Sequence, residues 1–331
     1  MQPVIIAENA SKTFTQRLRS TGFGAGMRDF IWPKTRPVHA VEDISFGIGA
    51  GEAVGYLGPN GAGKSTMIKM LTGILVPSSG RVEVLGRNPS ANRIANARDI
   101  GVVFGQRSQL WWDLPVRDSF DLHGRIYRVE QGRFQARQTM LVEMLEIGDY
   151  LDRPVRQLSL GQRMRAEMAM ALLHEPKLLF LDEPTIGLDV MAKDVVRRFL
   201  SEVNRQDGVT IILTTHDLQD IEQICPRLIM VDEGKLLFDG RTDKLHSSFG
   251  ARRRLTLHFE QDPGELGLLG VELVEARGKT REYLVDDPDR SLVDIIGEIG
   301  SRGQLRDVRL EEPDIEEVIR TYFRARRVSL G

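Results

Sequence analysis

The chain is poor in everything that would mark it as secreted or membrane-embedded. Cys225 is the single cysteine in 331 residues, so no internal disulfide can form, which fits a reducing cytosol. Its side chain reads as a small buried hydrophobe rather than a reactive thiol. No run of about 18 apolar residues escapes interruption by charge, so the chain is not expected to span a bilayer. Met1 to Ala10 lack a basic start followed by a long apolar stretch, so no secretory signal is expected. Neither sign of charge dominates: 45 Lys and Arg stand against 47 Asp and Glu, which leaves no global basic field for nucleic acid. No internal repeat is visible. What remains is ordinary globular composition, 41% hydrophobic and 28% charged, which argues against a disordered chain.

Val4–Ala7, Val38–Phe46 and Ala53–Leu57 read as strands, the last running into a glycine-rich turn and a helix over Lys64–Leu71. Phe14 to Val38 carries Arg17, Arg19, Arg28, Lys34 and Arg36 against Asp29 alone, with glycines and two prolines, and reads as a long surface loop with room for one turn of helix. Further on, strand and helix alternate: Lys177–Leu181, Met191–Val203, Val209–Thr215 and Asp217–Ile224. That alternation predicts a parallel sheet flanked by helices. Pro115 to Tyr150 breaks it with a mostly helical stretch, so a helical subdomain over about residues 107–170 is inserted in the α/β core. Beyond about Gly250, short alternating strands at Leu255–Phe259, Val271–Val274, Glu282–Val285 and Leu305–Leu310, with helices at Ser291–Ile299 and Ile315–Phe323, predict a small α+β unit. The expected domains are 1–245 and 250–331.

Gly58-Pro59-Asn60-Gly61-Ala62-Gly63-Lys64-Ser65-Thr66 is the pattern Gly-x4-Gly-Lys-Ser/Thr between a strand and a helix, the context a phosphate loop needs. Glycines let backbone N–H groups converge on a phosphate, and the helix N-terminus adds partial positive charge. Lys64 can reach the β- and γ-phosphates and Ser65 can bind Mg²⁺. Leu178 to Pro184 is an apolar strand ending in Asp182 and Glu183. Asp182 is suited to hold Mg²⁺ through water and Glu183 to act as general base on the attacking water; solvated strand-end acids are the plainer alternative. Leu158-Ser159-Leu160-Gly161-Gln162 opens a helix, with Ser159 either a simple N-cap or part of a second phosphate site.

These three motifs in this order resemble the ATP-binding cassette of ABC transporters. The resemblance covers roughly Val4 to Gly240 and implies the P-loop NTPase fold, with an antiparallel β subdomain, an inserted helical subdomain, and ATP and Mg²⁺ as cofactors. It casts Gln106 as the glutamine reaching Mg²⁺ and the lytic water, and Gly187-Leu188-Asp189 as a loop crossing a dimer interface. It makes His216 the switch histidine on the γ-phosphate and Phe14 the aromatic stacked on adenine, with Phe23, Phe30 or Trp32 as alternatives. One departure is Leu160, where the family most often has glycine. The runs Leu158–Arg165 and Phe104–Trp112 resemble the exporter-type branch served by ABC-2 membrane subunits.

The resemblance implies half a site per copy: the phosphate loop of one cassette faces Ser159, Gly161 and Gln162 of another, in a homodimer or paired cassette. It further implies permease subunits of ABC-2 type in a separate chain and a location on the cytoplasmic face of the cell membrane. Gln109 to Val116 is the expected docking segment, with Trp111 and Trp112 either lining a groove for the permease or packed in the core. The basic stretch is either a solvated loop or a neighbour of anionic lipid headgroups. Competing functions are a soluble ABC-family ATPase with a non-transport partner, an importer ATPase, and a nucleotide-binding regulator without turnover; Gln106, Glu183 and His216 together argue against the last.

Overall fold

The computed structural model describes residues 3–18, 34–105, 108–215, 217–244, 253–264, 271–285 and 304–311, with positions 297, 299 and 319. Contacts divide the chain into two units, Met1–Thr242 and Asp243–Gly331.

The first unit opens with two long strands, β1 (Pro3–Leu18) and β2 (Lys34–Gly49), then β3 (Ala53–Leu57), α1 (Lys64–Leu71), β4 (Ser79–Val84), α2 (Arg93–Asp99) and β5 (Ile100–Phe104). The helical stretch contains α3 (Val116–Tyr127), α4 (Gln131–Met144), 3-10 turns at Gly148–Tyr150 and Val155–Gln157, and α5 (Leu160–Leu172). The core then resumes with β6 (Leu178–Asp182), α6 (Val190–Asp207), β7 (Thr210–Thr215), α7 (Leu218–Ile224), β8 (Arg227–Asp232) and β9 (Lys235–Arg241).

Two sheets form this unit. One has the order β5-β6-β7-β3-β8-β9, parallel except for the antiparallel β9; the other is antiparallel, β2-β1-β4. Val54 and Tyr56 of β3, Phe180 of β6 and Ile229 of β8 share one apolar core with Ile5, Val41, Ile48 and Val84 of the antiparallel sheet. Met67, Ile68, Met70 and Leu71 of α1 are all fully buried in it. A helix apolar on so many sides belongs in the interior, and burial there fixes the position of its N-terminus.

The stretch Phe14–Val38, expected as loop, is a strand at both ends. The β1–β2 ladder continues through Phe14↔Val38 to Leu18↔Lys34; residues 19–33 lie outside the described residues, as do the basic side chains Arg19 and Arg28. Thr15, Gln16, Arg36 and Val38 are exposed, so burial imposes no alternation of polarity. The ladder is made by backbone groups that polar side chains do not disturb. The strands β4, β5, β8 and β9 add to those expected from the sequence.

The second unit is an antiparallel sheet of β10 (Arg253–Phe259), β11 (Val271–Arg277), β12 (Thr280–Val285) and β13 (Leu305–Glu311), in the order β11-β12-β10-β13. Leu255, Leu257, Phe259, Tyr283 and Val285 build its core with Ile299. The helices expected at 291–299 and 315–323 fall almost wholly outside the described residues.

Candidate functional site

The parallel strands end in register. Phe104 pairs with Asp182, Asp182 with Thr214, and Leu57 with both Thr215 and Met230. The loops after β3, β5, β6 and β7 therefore meet at one edge, the carboxyl end of the sheet where open α/β folds bind ligands. A cleft of ≈ 590 Å³ opens there, lined by Asn60, Gly61, Lys64, Ser65, Asp182 and Glu183 among others, including Gly105.

The turn between β3 and α1 depends on its glycines. Gly63 has φ +97, and a Cβ on it would lie 2.1 Å from the Ala40 carbonyl oxygen. Only glycine fits both the left-handed backbone and that close approach. Lys64 folds back over this turn and donates to the carbonyls of Gly58, at 2.7 Å, and Pro59, at 3.3 Å. Its Nζ lies 3.8 Å from Glu183 Oε1. Burial pulls the Lys64 pKa below its ordinary value, while the Glu183 and Asp182 carboxylates oppose that shift.

Asp182 accepts from the Ser65 hydroxyl at 3.1 Å and from the Thr214 hydroxyl at 2.7 Å. Glu183 has φ +53, a conformation disfavoured for a residue with a side chain. Its N–H is held by Thr214, donating to the carbonyl at 2.9 Å and to the hydroxyl at 3.1 Å. Thr214 thus orients both acids. Sequence reasoning missed it; its signal is a threonine pair closing a buried strand beside the acidic one.

The donor set suits Mg²⁺ carried in with a nucleotide. Among the described residues no group of three His, Cys, Asp or Glu could cage a metal. Mg²⁺ instead takes one or two protein oxygens and completes its shell with phosphate and water, and Ser65 and Asp182 offer such a pair of oxygens.

Other expected site residues lie apart from the cleft. Ser159 caps α5 in a reciprocal box: its hydroxyl accepts from Gln162 N at 3.2 Å, and the Gln162 side chain accepts from Ser159 N at 3.0 Å. Leu160 packs on Gly187, where a Cβ would lie 3.0 Å from Leu160 Cδ2, and Gly161 faces Ala192. Asp189 caps α6 by accepting from Ala192 N at 2.8 Å. The Ser159–Gln162 turn and the Gly187–Asp189 loop therefore touch each other, and neither lines the cleft. Phe14 pairs with Val38 on the β1–β2 ladder, is 39% exposed under the Lys12 ammonium, and does not line the cleft. Gln106 and His216 lie outside the described residues, as do Phe23, Phe30 and Trp32.

Trp111 and Trp112 are both exposed, at 37% and 53%, which removes the core-packing reading. Cys225 is buried and free, and burial pushes its thiol pKa up, as expected of an inert side chain.

Residues 41–186 match the family model described as ABC transporter. The Nod factor export ATP-binding protein I of Rhizobium meliloti (strain 1021) is 35% identical over 276 residues, covering 82% of this chain and 81% of the relative. The daunorubicin resistance ATP-binding protein DrrA3 of Streptomyces coeruleorubidus is 33% identical over 291 residues, covering 84% and 89%. Among solved structures, cbiO1 of Clostridium perfringens, part of the ABC transporter complex cbiONQ, superposes with a TM-score of 0.60 at 27% identity, over 75% of this chain and 92% of that one. A phosphate loop facing paired acids at the sheet edge, on a chain that shares a third of its residues with these relatives over most of its length, means that this protein belongs to the ATP-binding subunits of ABC transporters.

Proposed function

We propose that the chain is the ATP-hydrolysing motor of an ABC exporter of the ABC-2 type. The observation that carries this reading is the convergence of Lys64, Ser65, Asp182 and Glu183 at the carboxyl edge of one sheet. Lys64 and the amides around Gly61 and Gly63 suit the β- and γ-phosphates of ATP. When bound, Mg²⁺ would be held by Ser65 directly and by Asp182 through water, and would neutralise charge on the phosphates. Glu183, held by Thr214, takes the proton of the attacking water as oxygen bonds to the γ-phosphorus and the bond to ADP breaks. The products are ADP and inorganic phosphate. Gln106 and His216 are assigned to the same event by family resemblance.

Ser159, Gly161, Gln162 and Asp189 lie away from the cleft of their own chain, which supports a second cassette, identical or paired, as their target. Closure of two copies then depends on the γ-phosphate and is released by hydrolysis. Among the described residues no helix is long and apolar enough to cross a membrane; in this reading the transport path lies in separate permease chains of ABC-2 type. The exposed Trp111–Trp112 pair offers apolar area for docking them. Export is favoured over import because one relative is described as an export protein and another as conferring daunorubicin resistance. The cytoplasmic face of the membrane is the corresponding location. Phosphate release by the purified chain, abolished in Glu183→Gln, is the direct test; a Glu183→Gln variant with undiminished turnover overturns the assignment of the base.

A further inference from the structure

Glu167 lies about two turns beyond the Ser159 cap on α5 and is 4% exposed. Besides the Arg163 charge one turn back on its own helix, its carboxylate meets a segment from outside α5. Oε1 accepts from the Ser108 hydroxyl and, at 3.0 Å, from Gln109 N; Oε2 takes the same N–H at 3.1 Å, and Leu110 N donates to Oε1 at 3.4 Å. Three consecutive residues are thus gathered onto one buried carboxylate. The Gln109 side chain meanwhile donates to the Val102 carbonyl on β5.

The position of this segment matters more than its bonds. On one side the chain runs back to Phe104 and Gly105, which line the nucleotide cleft. On the other it runs directly into the exposed Trp111 and Trp112. The helix that holds it is capped by Ser159, the residue that the proposed function directs at a second cassette. Burying a carboxylate is costly, and a neutral side chain would satisfy two amides. Burial raises the Glu167 pKa while the bonds from Ser108, Gln109 and Leu110 oppose that shift; those bonds are strongest to the carboxylate form, being charge-assisted, and they make the attachment stiffer.

We propose that Glu167 is the positioning residue that fixes residues 108–110 to α5, so that the docking segment and the Ser159 end of α5 move as one piece. This rests on the exporter-motor reading above. A displacement of Trp111 and Trp112 by a membrane partner then shifts α5 as a rod and carries Ser159 and Gly161 toward or away from the facing nucleotide. The coupling is reciprocal: nucleotide-driven closure at Ser159 moves the docking segment by the same attachment. Without the carboxylate, the cleft still binds ATP through its own loop, but the two ends move independently.

The test uses full-length protein with Glu167→Ala and the isosteric Glu167→Gln, which keeps one carbonyl acceptor. Hydrogen exchange of the Gln109 and Leu110 amides, measured without nucleotide, is expected to speed up by about tenfold or more in Glu167→Ala. ATP affinity is expected to stay within about twofold of the parent, while kcat falls by about tenfold or more through misplacement of α5. Glu167→Gln, with one uncharged acceptor in place of the carboxylate, is expected to fall between Glu167→Ala and the parent in both amide exchange and kcat. Unchanged amide exchange in Glu167→Ala, or faster exchange with an unchanged kcat, overturns the proposal. A parent protein that neither binds nor hydrolyses ATP would instead defeat the motor reading, and the nucleotide-free exchange measurement still reports on the attachment. Should Glu167→Ala fail to fold, Ser108→Ala removes one partner from outside the helix and is expected to act in the same direction; no change in exchange or kcat in that variant counts equally against the proposal.

Discussion

The Lys64 ammonium sits 3.8 Å from Glu183 Oε1, inside a turn whose carbonyls it also bonds. The cation that would meet phosphate and the carboxylate that would activate water therefore share one small space, and their losses should separate cleanly. Lys64→Ala removes charge-assisted bonds worth about 1.5–3 kcal/mol each, so nucleotide affinity should fall by about tenfold or more. Glu183→Gln keeps the shape and should bind ATP normally while kcat drops by about 10²–10⁴. Titration with a fluorescent nucleotide and phosphate release, run on both variants, check the split.

The turn itself makes a sharper prediction. Gly63→Ala would force a methyl to within 2.1 Å of the Ala40 carbonyl at φ +97. It should destabilise the protein by at least about 2 kcal/mol, through strain and displacement of the β2 backbone, and should weaken ATP binding. Gly61 has a similar backbone, φ +87, but open space around its missing Cβ. Gly61→Ala should therefore cost only the left-handed penalty of about 1–2 kcal/mol. Denaturant melts of the two variants, side by side, measure the difference.

The phosphate loop, the acidic strand end and the helix after each were legible because they are contiguous: strand, turn chemistry and helix follow in a few residues. Lys64–Leu71 is a helix with the bounds its pattern predicts. What escaped was long-range. Thr214 is an unremarkable strand residue until β7 pairs with β6 and brings its hydroxyl to Asp182. Glu167 looks like an ordinary helix charge until residues 108–110 fold onto it. The β1–β2 extension escaped for another reason: its exposed side chains carry no alternation, while the backbone pairing that holds it leaves no mark in composition.

A second buried carboxylate of this kind ties α6 and α7 to the end of β7 and the turn after β6. Asp220, fully buried on α7, accepts from Arg197 Nε of α6 at 2.6 Å and from the hydroxyls of Thr185 and Thr215. Arg197 and Lys193 also reach Asp217. Burial works against the Asp217 carboxylate, but Lys193 and Arg197 outweigh it and hold its pKa below the ordinary value. Arg197→Met leaves Asp220 buried with hydroxyl partners alone and should cost about 3–5 kcal/mol. Adding Asp220→Leu removes the stranded charge and should restore a large part of that loss. Thermal denaturation of the single and double variants decides it, an additive loss being the contrary result.

Acid should find the protein's weak point where α3 meets the core. His174 Nε2 donates to the Ile100 carbonyl at 3.0 Å, which leaves its Nδ1 to accept from His123 Nε2–H at 3.1 Å. Tyr127 stacks on both rings. Burial, with His174 beside it, pushes the His123 pKa down to about 3, and burial lowers that of His174 as well, against the Ile100 carbonyl and Asp99. An unfolded histidine takes its proton near pH 6.5, whereas the folded His123 does not until about pH 3. Between these values the unfolded state binds more protons, so stability is full above about pH 6.5 and declines as pH falls, by about 1.4 kcal/mol per pH unit for His123, with His174 acting in the same direction. His123→Phe keeps the stacking and should flatten the part of the pH–stability curve between about pH 6.5 and 4 relative to the parent. Denaturant midpoints across that range measure it, and parallel curves for the two proteins would assign the acid sensitivity elsewhere.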